Sequence, residues 1–205
     1  DEIKTTLPGA KLIVILRNPV DRAFSSYTHL LREGFETLPF EQSLTAEPKR
    51  IRDRWAPLWY YTQKGFYAQQ LKRYYDRFPV EQLRVYLFED LCADPMAVIR
   101  DIFTYIGVEP SFQPDLTKLN VSGVPKNAAL QRLLTRDNPL KSFGKLLLPK
   151  PLRKRLSSQV QRRNLAAKPT LNSETRAELT ELYREDVMAL QGLIGRDLSA
   201  WLSQG

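Results

Sequence analysis

The sequence has little of three things: cysteine, histidine and long apolar runs. With Cys92 alone, no intramolecular disulfide can form. Cysteine usage therefore does not indicate whether the protein resides in an oxidising or a reducing compartment. Cys92 itself is expected to be a small, buried or half-buried filler. The longest apolar run, Leu12–Leu16, has the length of a strand and is far short of the ~18 residues that suggest a transmembrane helix. We therefore predict no membrane span in this chain, and no signal segment opens it.

The size and composition of the chain fit one globular core. Its 205 residues are 42% hydrophobic and 10% aromatic. We expect one domain over 1–205, with an α/β part at 1–107 and a mainly helical part at 108–205. The chain begins at Asp1 and a strand-like run begins by Lys11, so we expect it to continue a longer protein whose preceding part is not in this sequence.

Positive charge exceeds negative charge. There are 31 Lys and Arg against 23 Asp and Glu, a formal +8, and much of the excess lies in 141–168. A basic surface attracts nucleic acid, anionic lipid, acidic polysaccharide or phosphorylated cofactors. A solvated helix face with no dedicated partner explains such charge equally well.

Residues 10–34 predict a strand, a tight turn and a helix. The run at 10–18 is continuously apolar and β-branched, as in a strand buried on both faces of a parallel sheet. Pro19 suits the first turn of a helix, with Asn18 as its cap, and apolar residues then recur at helical spacing until Gly34. Such a unit places polar groups at the carboxyl end of the strand, where open parallel sheets bind ligands.

The rest of the chain at first alternates between predicted helices and a strand, and its later part is predicted to be mainly helical. We predict helices over 40–46, 66–78 and 96–106, a strand over 83–88, and an irregular or turn-like stretch at 54–61. Further along we predict a loop at 120–127, a helix at 128–135, and a final helix beginning at Asn172 or Ser173. The apolar stripe of this final helix is Leu179, Leu182, Tyr183, Val187, Leu190 and Leu193. The alternation of strand and helix makes the class α/β.

The segment RNPVDRAFS (17–25) has the chemistry of an oxyanion site. Arg17 supplies parallel charged donors at the end of a strand, the helix amino terminus supplies N–H groups, and Ser25 supplies a hydroxyl. Asp21 is better explained as a complement to the helix dipole than as a catalytic base. A structural reading, in which Arg17 caps a neighbouring helix, stays open.

The longer run RNPVDRAFSSY resembles the 3′-phosphate-binding motif of sulfotransferases that use 3′-phosphoadenosine-5′-phosphosulfate (PAPS). The resemblance implies that Arg17 and Ser25 hold the 3′-phosphate of the donor. The stretch VYLFEDL (85–91) is similar to a later strand and turn of the family, which implies that Phe88 lies against the adenine. A core aromatic at a strand end is the alternative for Phe88. The closing stretch 168–201 is similar to the tail of the carbohydrate and bacterial branches.

One part of the family pattern is missing from this sequence. The resemblance implies a Lys-Gly-Gly-Thr-Thr-like loop for the 5′-phosphosulfate and a catalytic Glu or His, and we expect both upstream of Asp1. The loop at 120–127 matches the region that the family folds over the donor, which makes Lys126 a candidate phosphate or sulfate contact. A plain surface lysine is as good an explanation of Lys126.

Two further groups of side chains have less specific signals. His29 lies one helical turn beyond Ser25 and is expected to be a surface or helix-packing histidine. The aromatic cluster around Gly65, at 60–61 and 66–67, could line a groove for a sugar or phenol, but such clusters more often belong to the core.

The resemblance implies an α/β fold with a P-loop-like parallel sheet flanked by helices and a mainly helical carboxyl-terminal part. It implies an enzyme that transfers a sulfuryl group from PAPS to a hydroxyl or amine, with carbohydrate as the expected acceptor, adenosine 3′,5′-bisphosphate as the product and no metal. No nucleic-acid partner is expected. Two alternatives remain: a non-catalytic module that binds polyanions through 141–168, and a P-loop nucleotide kinase, for which no Lys-bearing Gly-rich loop is visible. We expect a cytoplasmic location, or the Golgi lumen if an anchor precedes the chain.

Overall fold

A computed structural model describes residues 2–116, 124–125, 165–166 and 169–203. Its regular elements, in chain order, are α1 (Glu2–Thr6), β1 (Leu12–Leu16), α2 (Pro19–Glu33), α3 (Phe40–Arg52), α4 (Tyr67–Tyr75), β2 (Leu83–Leu87), α5 (Phe88–Ala93), α6 (Pro95–Ile106), β3 (Val124–Pro125), β4 (Leu165–Ala166), α7 (Ser173–Ile194) and α8 (Ser199–Leu202). Short 3₁₀ turns lie at Pro57–Trp59, Gln63–Gly65 and Val80–Gln82. Lys126, the predicted helix 128–135 and nearly all of the basic segment 141–168 lie outside the described residues.

The α/β prediction is confirmed by a parallel pair of strands separated by helices. β1 pairs with β2 in parallel, with Leu12 opposite Leu83 and Leu16 opposite Leu87. Parallel strands need a long crossover, and helices α2 to α4 lie in the chain between them. The small pair β3 and β4 is antiparallel.

The prediction that β1 is buried on both faces is wrong. Ile13 is 37% exposed and Ile15 is 47% exposed, whereas Leu16 is buried. Alternate side chains of a strand point to opposite faces, so one face of β1 is turned inward and the other is open. A continuously apolar run does not by itself show how many faces of a strand are covered.

The boundaries of α2 follow the sequence closely. The Asn18 side-chain oxygen accepts hydrogen bonds from the backbone N–H of Val20 at 2.9 Å and of Asp21 at 3.3 Å. Asn18 is therefore the amino-terminal cap of α2, as predicted, and satisfies two donors that have no partner within the helix. Gly34 follows the last helical residue with a φ of +74°, a left-handed conformation that glycine adopts without steric cost.

The chain divides into two compact units. The first comprises 1–22, 62–118 and 173–205, and the second comprises 23–61 and 119–172. In the first unit α4 packs on α7, and α7 packs on α8. Its buried apolar residues include Leu16, Val20, Tyr67, Leu71, Leu83, Leu87, Leu179, Tyr183, Val187, Leu190, Leu198 and Trp201.

The second unit has an aromatic core. The rings of Phe24, Tyr27, Phe40 and Tyr61 contact one another, with centroid separations of 5.0 to 6.4 Å. All four side chains are buried. Offset and edge-to-face contacts of this kind add to the free energy of burying the rings.

A buried ion pair lies next to these rings in the second unit. Arg50 donates to both carboxylate oxygens of Glu36, at 2.6 Å and 3.1 Å, and the hydroxyl of Tyr61 donates to Glu36 at 2.7 Å. The backbone N–H groups of Thr37 and Leu38 donate to the same carboxylate. Every lone pair of the buried carboxylate is thus occupied, which such a charge requires.

Three expectations about individual elements need correction. α3 continues to Arg52 instead of ending near residue 46, since Pro48 is accommodated inside the helix. Leu182 is 48% exposed and lies off the buried stripe of α7. Cys92 is exposed, because α5 turns Leu91 and not Cys92 toward the protein. Across the part of the chain that the structure describes, no helix combines the length and apolar character needed to cross a bilayer.

Candidate functional site

The register of the parallel strands brings Arg17 and Phe88 together. Leu16 is opposite Leu87, so the next residue of each strand emerges at the same edge of the sheet. The guanidinium carbon of Arg17 lies 4.9 Å from the centroid of the Phe88 ring, which is a cation–π contact. Phe88 remains 36% exposed, so it is not a core aromatic and part of its ring is accessible.

Arg17 is a partly buried cation without a carboxylate partner among the described residues. Partial burial of an unpaired charge carries a desolvation cost that an anionic ligand would offset. Arg22, one turn into α2, has a similar property, since its Nη1 atom is buried and has no hydrogen-bond partner. The amino-terminal end of α2 thus carries two guanidinium groups with unused donor capacity.

The carboxylate of Glu89 ties the two strand ends to the carboxyl-terminal helix. It accepts a hydrogen bond from the indole N–H of Trp201 at 3.2 Å and a long one from the backbone N–H of Asn18 at 3.4 Å. The side-chain amide of Asn18 donates to the backbone oxygen of Trp201 at 3.3 Å. These three residues form a closed set of contacts that fixes the backbone just after Arg17.

Tyr67 supports Arg17 from α4. Its hydroxyl donates to the backbone oxygen of Arg17 at 3.0 Å, and its ring contacts Trp201 edge to face. Burial raises the pKa of Tyr67 well above its usual value, although the charges of Arg22 and Arg17 act in the opposite direction. The hydroxyl therefore stays protonated and acts as a donor that positions the strand end.

The remaining residues singled out in the sequence have separate locations. Ser25 lies on α2, partly exposed, and belongs to the second unit. His29 is exposed and its Nδ1 atom lies 2.9 Å from Arg32, as expected of a surface histidine. Tyr61 and Tyr67 are buried, which confirms the core interpretation for these two members of the aromatic cluster. Asp21 forms an ion pair with Arg176 at 2.6 Å.

Comparison with known proteins identifies the family. A sequence model of the Sulfotransferase family matches residues 1–114, which is more than half of the chain and includes Arg17, Ser25 and Phe88. This chain belongs to the sulfotransferase family. Lys126 lies beyond the matched region.

A solved structure supports the assignment of the fold class. A sulfotransferase from Alicyclobacillus acidocaldarius superposes with a TM-score of 0.70 and is 36% identical, covering 97% of this chain and 60% of that one. The α/β class of this sulfotransferase chain is therefore established by both its own strands and its neighbour.

Curated relatives of the chain act on heparan sulfate according to their names. The human bifunctional heparan sulfate N-deacetylase/N-sulfotransferase 3 is 28% identical over 204 residues, covering 97% of this chain and 21% of that protein. The mouse heparan sulfate glucosamine 3-O-sulfotransferase 3B1 is 36% identical over 103 residues, covering 48% of this chain and 25% of that protein. The matched parts of this chain thus span about a fifth to a quarter of the length of these relatives.

Three residues whose contacts hold the backbone of the candidate site were not found from the sequence. Glu89, Tyr67 and Trp201 have no local pattern that indicates their contacts, because each partner is 50 or more positions away. The aromatic run around Gly65 was a signal for Tyr67, but it gave no partner. Within residues 2–116 and 169–203, no cluster of three or more His, Cys, Asp or Glu side chains suits a metal ion.

Proposed function

We propose that the protein transfers a sulfuryl group from PAPS to a hydroxyl or amine of a carbohydrate. The observation that carries the proposal is the contact of Arg17 with Phe88 at the carboxyl ends of β1 and β2. A partly buried, unpaired guanidinium beside an accessible aromatic ring suits a ligand that has both a phosphate and a purine. Family membership and the heparan sulfate relatives support the reaction and the acceptor class.

Four residues are proposed to hold the donor. Arg17 binds the 3′-phosphate through paired N–H donors, as charge-assisted bonds to phosphate favour. Ser25 adds a hydroxyl from α2, and Phe88 offers its ring to the adenine, a stacking contact worth about 1–3 kcal/mol per base. Lys126 is proposed as a further phosphate or sulfate contact from the loop at 120–127.

The reaction is an in-line displacement at sulfur. The acceptor oxygen or nitrogen forms a bond to sulfur while the bond from sulfur to the bridging phosphate oxygen breaks. The electron pair leaves with adenosine 3′,5′-bisphosphate, and the acceptor loses its proton. Such a transfer depends mainly on positioned charge, so the contribution proposed for Arg17 is to select and orient the donor by its 3′-phosphate.

Calorimetric titration of the full protein with adenosine 3′,5′-bisphosphate tests the proposal. We expect Arg17→Ala and Ser25→Ala each to weaken binding by about 1–3 kcal/mol, since each removes a bond to a charged group. Phe88→Ala should weaken binding of the bisphosphate more than binding of inorganic phosphate, because it removes a contact to the base. Arg100, an exposed arginine on α6, provides the matched control as Arg100→Ala, which should bind normally.

Two results would overturn the proposal. Absence of bisphosphate binding by the full protein is the first. The second is binding that Arg17→Ala, Ser25→Ala and Phe88→Ala all leave unchanged. If a polyanion bound instead, with a steep dependence on salt and no effect of the bisphosphate, a non-catalytic polyanion module would be favoured.

A further inference from the structure

An exposed group of apolar side chains lies on the second unit, around the end of α3. Phe35 is 49% exposed, Trp55 is 45% exposed and Leu58 is 41% exposed, and Trp59 lies among them. We call Phe35, Trp55, Leu58 and Trp59 the aromatic surface. Contiguous exposed rings are unusual on a soluble protein and mark an interaction site.

The rings of the aromatic surface are held in fixed positions. Trp59 contacts Trp55 at a centroid separation of 5.3 Å and Phe35 at 6.4 Å, with the planes nearly perpendicular in both pairs. The guanidinium of Arg50 lies 5.2 Å from the ring of Trp55, and Arg50 is itself held by the buried carboxylate of Glu36. Trp55 is thus exposed and yet anchored, which lowers the entropy cost of binding a ligand.

Two arginines close to Trp55 in the sequence have no acidic partner among the described residues. Lys49 is paired with Asp53, and Arg50 is paired with Glu36. In the described residues, the exposed side chains of Arg52 and Arg54 have no such partner. The border of the aromatic surface is therefore positive, which suits a ligand with carboxylate or sulfate groups.

Arg54 occupies a backbone position that disfavours a side chain. Its φ is +56°, and no other non-glycine residue in the described part of the chain has a positive φ. The N–H of Trp55 donates to the oxygen of Arg50 at 3.0 Å, so Arg54 stands where helices commonly end on glycine. A residue other than glycine is strained in the left-handed conformation, because its β-carbon approaches the backbone closely. The sequence thus keeps a cation next to Trp55 at a cost to stability.

We propose that the aromatic surface, with Arg52 and Arg54, binds an anionic polysaccharide. The apolar faces of sugar rings would lie on Trp55 and Phe35, while sulfate or carboxylate groups would bind the two arginines. A neutral sugar would leave the arginines unused, and a simple anion would leave the exposed rings unused, so the combination favours a charged sugar polymer. This inference rests on the proposed function in taking a carbohydrate as the acceptor class.

Binding of a size-defined heparin oligosaccharide to the full protein tests the proposal. We expect Trp55→Ala to raise the dissociation constant roughly fivefold to tenfold, as loss of an aromatic contact does. Arg54→Gly should raise it about threefold, the effect of one exposed ion pair, while increasing the midpoint of thermal unfolding because the left-handed strain is relieved. Opposite effects on binding and on stability would distinguish a ligand-binding residue from a structural one.

Matched controls come from the first unit. Arg100→Ala removes an exposed arginine, and Phe112→Ala removes an aromatic that is 62% exposed. Neither should change heparin binding more than about 1.5-fold if binding is local to the aromatic surface. Loss of binding in the Arg100→Ala control equal to that in Arg54→Gly would show that net charge alone is responsible and would overturn the proposal.

Two comparison ligands test the class of the occupant. A neutral maltooligosaccharide of the same length should bind far more weakly than heparin. A single-stranded DNA of equal charge should lose no affinity on Trp55→Ala, and if it loses as much as heparin does, the occupant is a nucleic acid and the proposal is wrong.

The donor titration separates failure of this inference from failure of the proposed function. Trp55→Ala and Arg54→Gly should leave the affinity for adenosine 3′,5′-bisphosphate unchanged. If the bisphosphate binds and Trp55→Ala does not change heparin binding, the proposed role of the aromatic surface is refuted while the proposed sulfotransferase activity stands. If the bisphosphate does not bind to the wild-type protein, the proposed function itself fails.

Discussion

Gly65 lies directly against the ring of Tyr183. A β-carbon added at position 65 would be 2.7 Å from the Cε1, Cζ and hydroxyl oxygen atoms of that ring. Tyr183 has no exposed surface and donates a hydrogen bond to the backbone oxygen of Thr62 at 3.0 Å. The absence of a side chain at Gly65 is therefore what allows α7 to bring a buried tyrosine against the turn before α4.

Replacement of Gly65 by alanine should destabilise the protein. The ring of Tyr183 is enclosed and cannot move aside, so Gly65→Ala should lower the free energy of unfolding by about 1–3 kcal/mol, as overpacking does. Denaturant unfolding measures the change. Gly192→Ala is the control, since a β-carbon at that helical glycine meets nothing within 4 Å. That substitution should be neutral or stabilising by up to about 1 kcal/mol, and an equal loss in both variants would contradict the packing argument.

The Glu36–Arg50 pair should make stability depend on pH. Burial alone would raise the pKa of Glu36, but the hydrogen bonds from Arg50, Tyr61 and two backbone N–H groups hold it below its usual value. Because the folded pKa is depressed, the stability from this group is present above the unfolded pKa of about 4.3. It is lost as pH falls through the folded pKa. Urea unfolding at neutral and acidic pH should therefore show a larger acid loss in the wild type than in Glu36→Gln.

At neutral pH, Glu36→Gln should be costly in itself. It leaves the buried Arg50 guanidinium without its charge partner, which costs about 3–5 kcal/mol. The exposed pair Lys49–Asp53 offers the control: Asp53→Asn should change the free energy of unfolding by less than about 1 kcal/mol. A cost for Glu36→Gln as small as that of Asp53→Asn would show that the buried pair does not stabilise the second unit.

Trp201→Phe should weaken both the fold and the donor site. It removes the indole N–H that donates to Glu89, and Trp201 is 6% exposed. We expect a loss of about 1–3 kcal/mol in the free energy of unfolding, because a smaller ring replaces the buried indole and a hydrogen bond to a carboxylate is lost. Affinity for adenosine 3′,5′-bisphosphate should fall a few-fold as the backbone after Arg17 loosens. Trp55→Phe, at an exposed position of the other unit, should leave bisphosphate binding unchanged.

Tyr67 should not ionise in the working pH range. Burial raises its pKa, so the hydroxyl remains protonated and cannot serve as a base. Absorbance titration of the wild type minus Tyr67→Phe should show the tyrosinate signal only at a pH well above the ordinary pKa of tyrosine, about 10. Loss of the bond to the Arg17 backbone should cost Tyr67→Phe about 1 kcal/mol of stability. A difference signal near pH 10 would contradict the assigned role.

Local chemistry made much of the fold predictable. Asn18, Pro19 and Gly34 determine where α2 begins and ends through capping, a fixed φ and a left-handed turn, and all three act within a few residues. The apolar run of β1 indicated a strand, but the exposure of Ile13 and Ile15 depends on which elements cover the sheet. No pattern within a strand records that.

The candidate site was predictable only in part for the same reason. Arg17 and Phe88 each follow a strand, so their place at a sheet edge could be inferred, and the register then decides that they touch. The contacts of Glu89 with Asn18 and Trp201 join positions that are 71 and 112 residues apart. Such contacts arise from packing and leave no periodic trace. That Arg17, Ser25, Phe88 and Lys126 hold the donor remains a prediction.

The parallel register of β1 and β2 also limits which mutations the proposed donor site can tolerate. Arg17 meets Phe88 because each stands one step beyond the paired residues Leu16 and Leu87. Substitutions within either strand can be absorbed if the buried positions stay apolar. An insertion or deletion of one residue in either strand would turn the following side chain to the opposite face of the sheet. The contact between Arg17 and Phe88 therefore depends on the number of residues in each strand. It tolerates substitutions in the strands but not insertions or deletions.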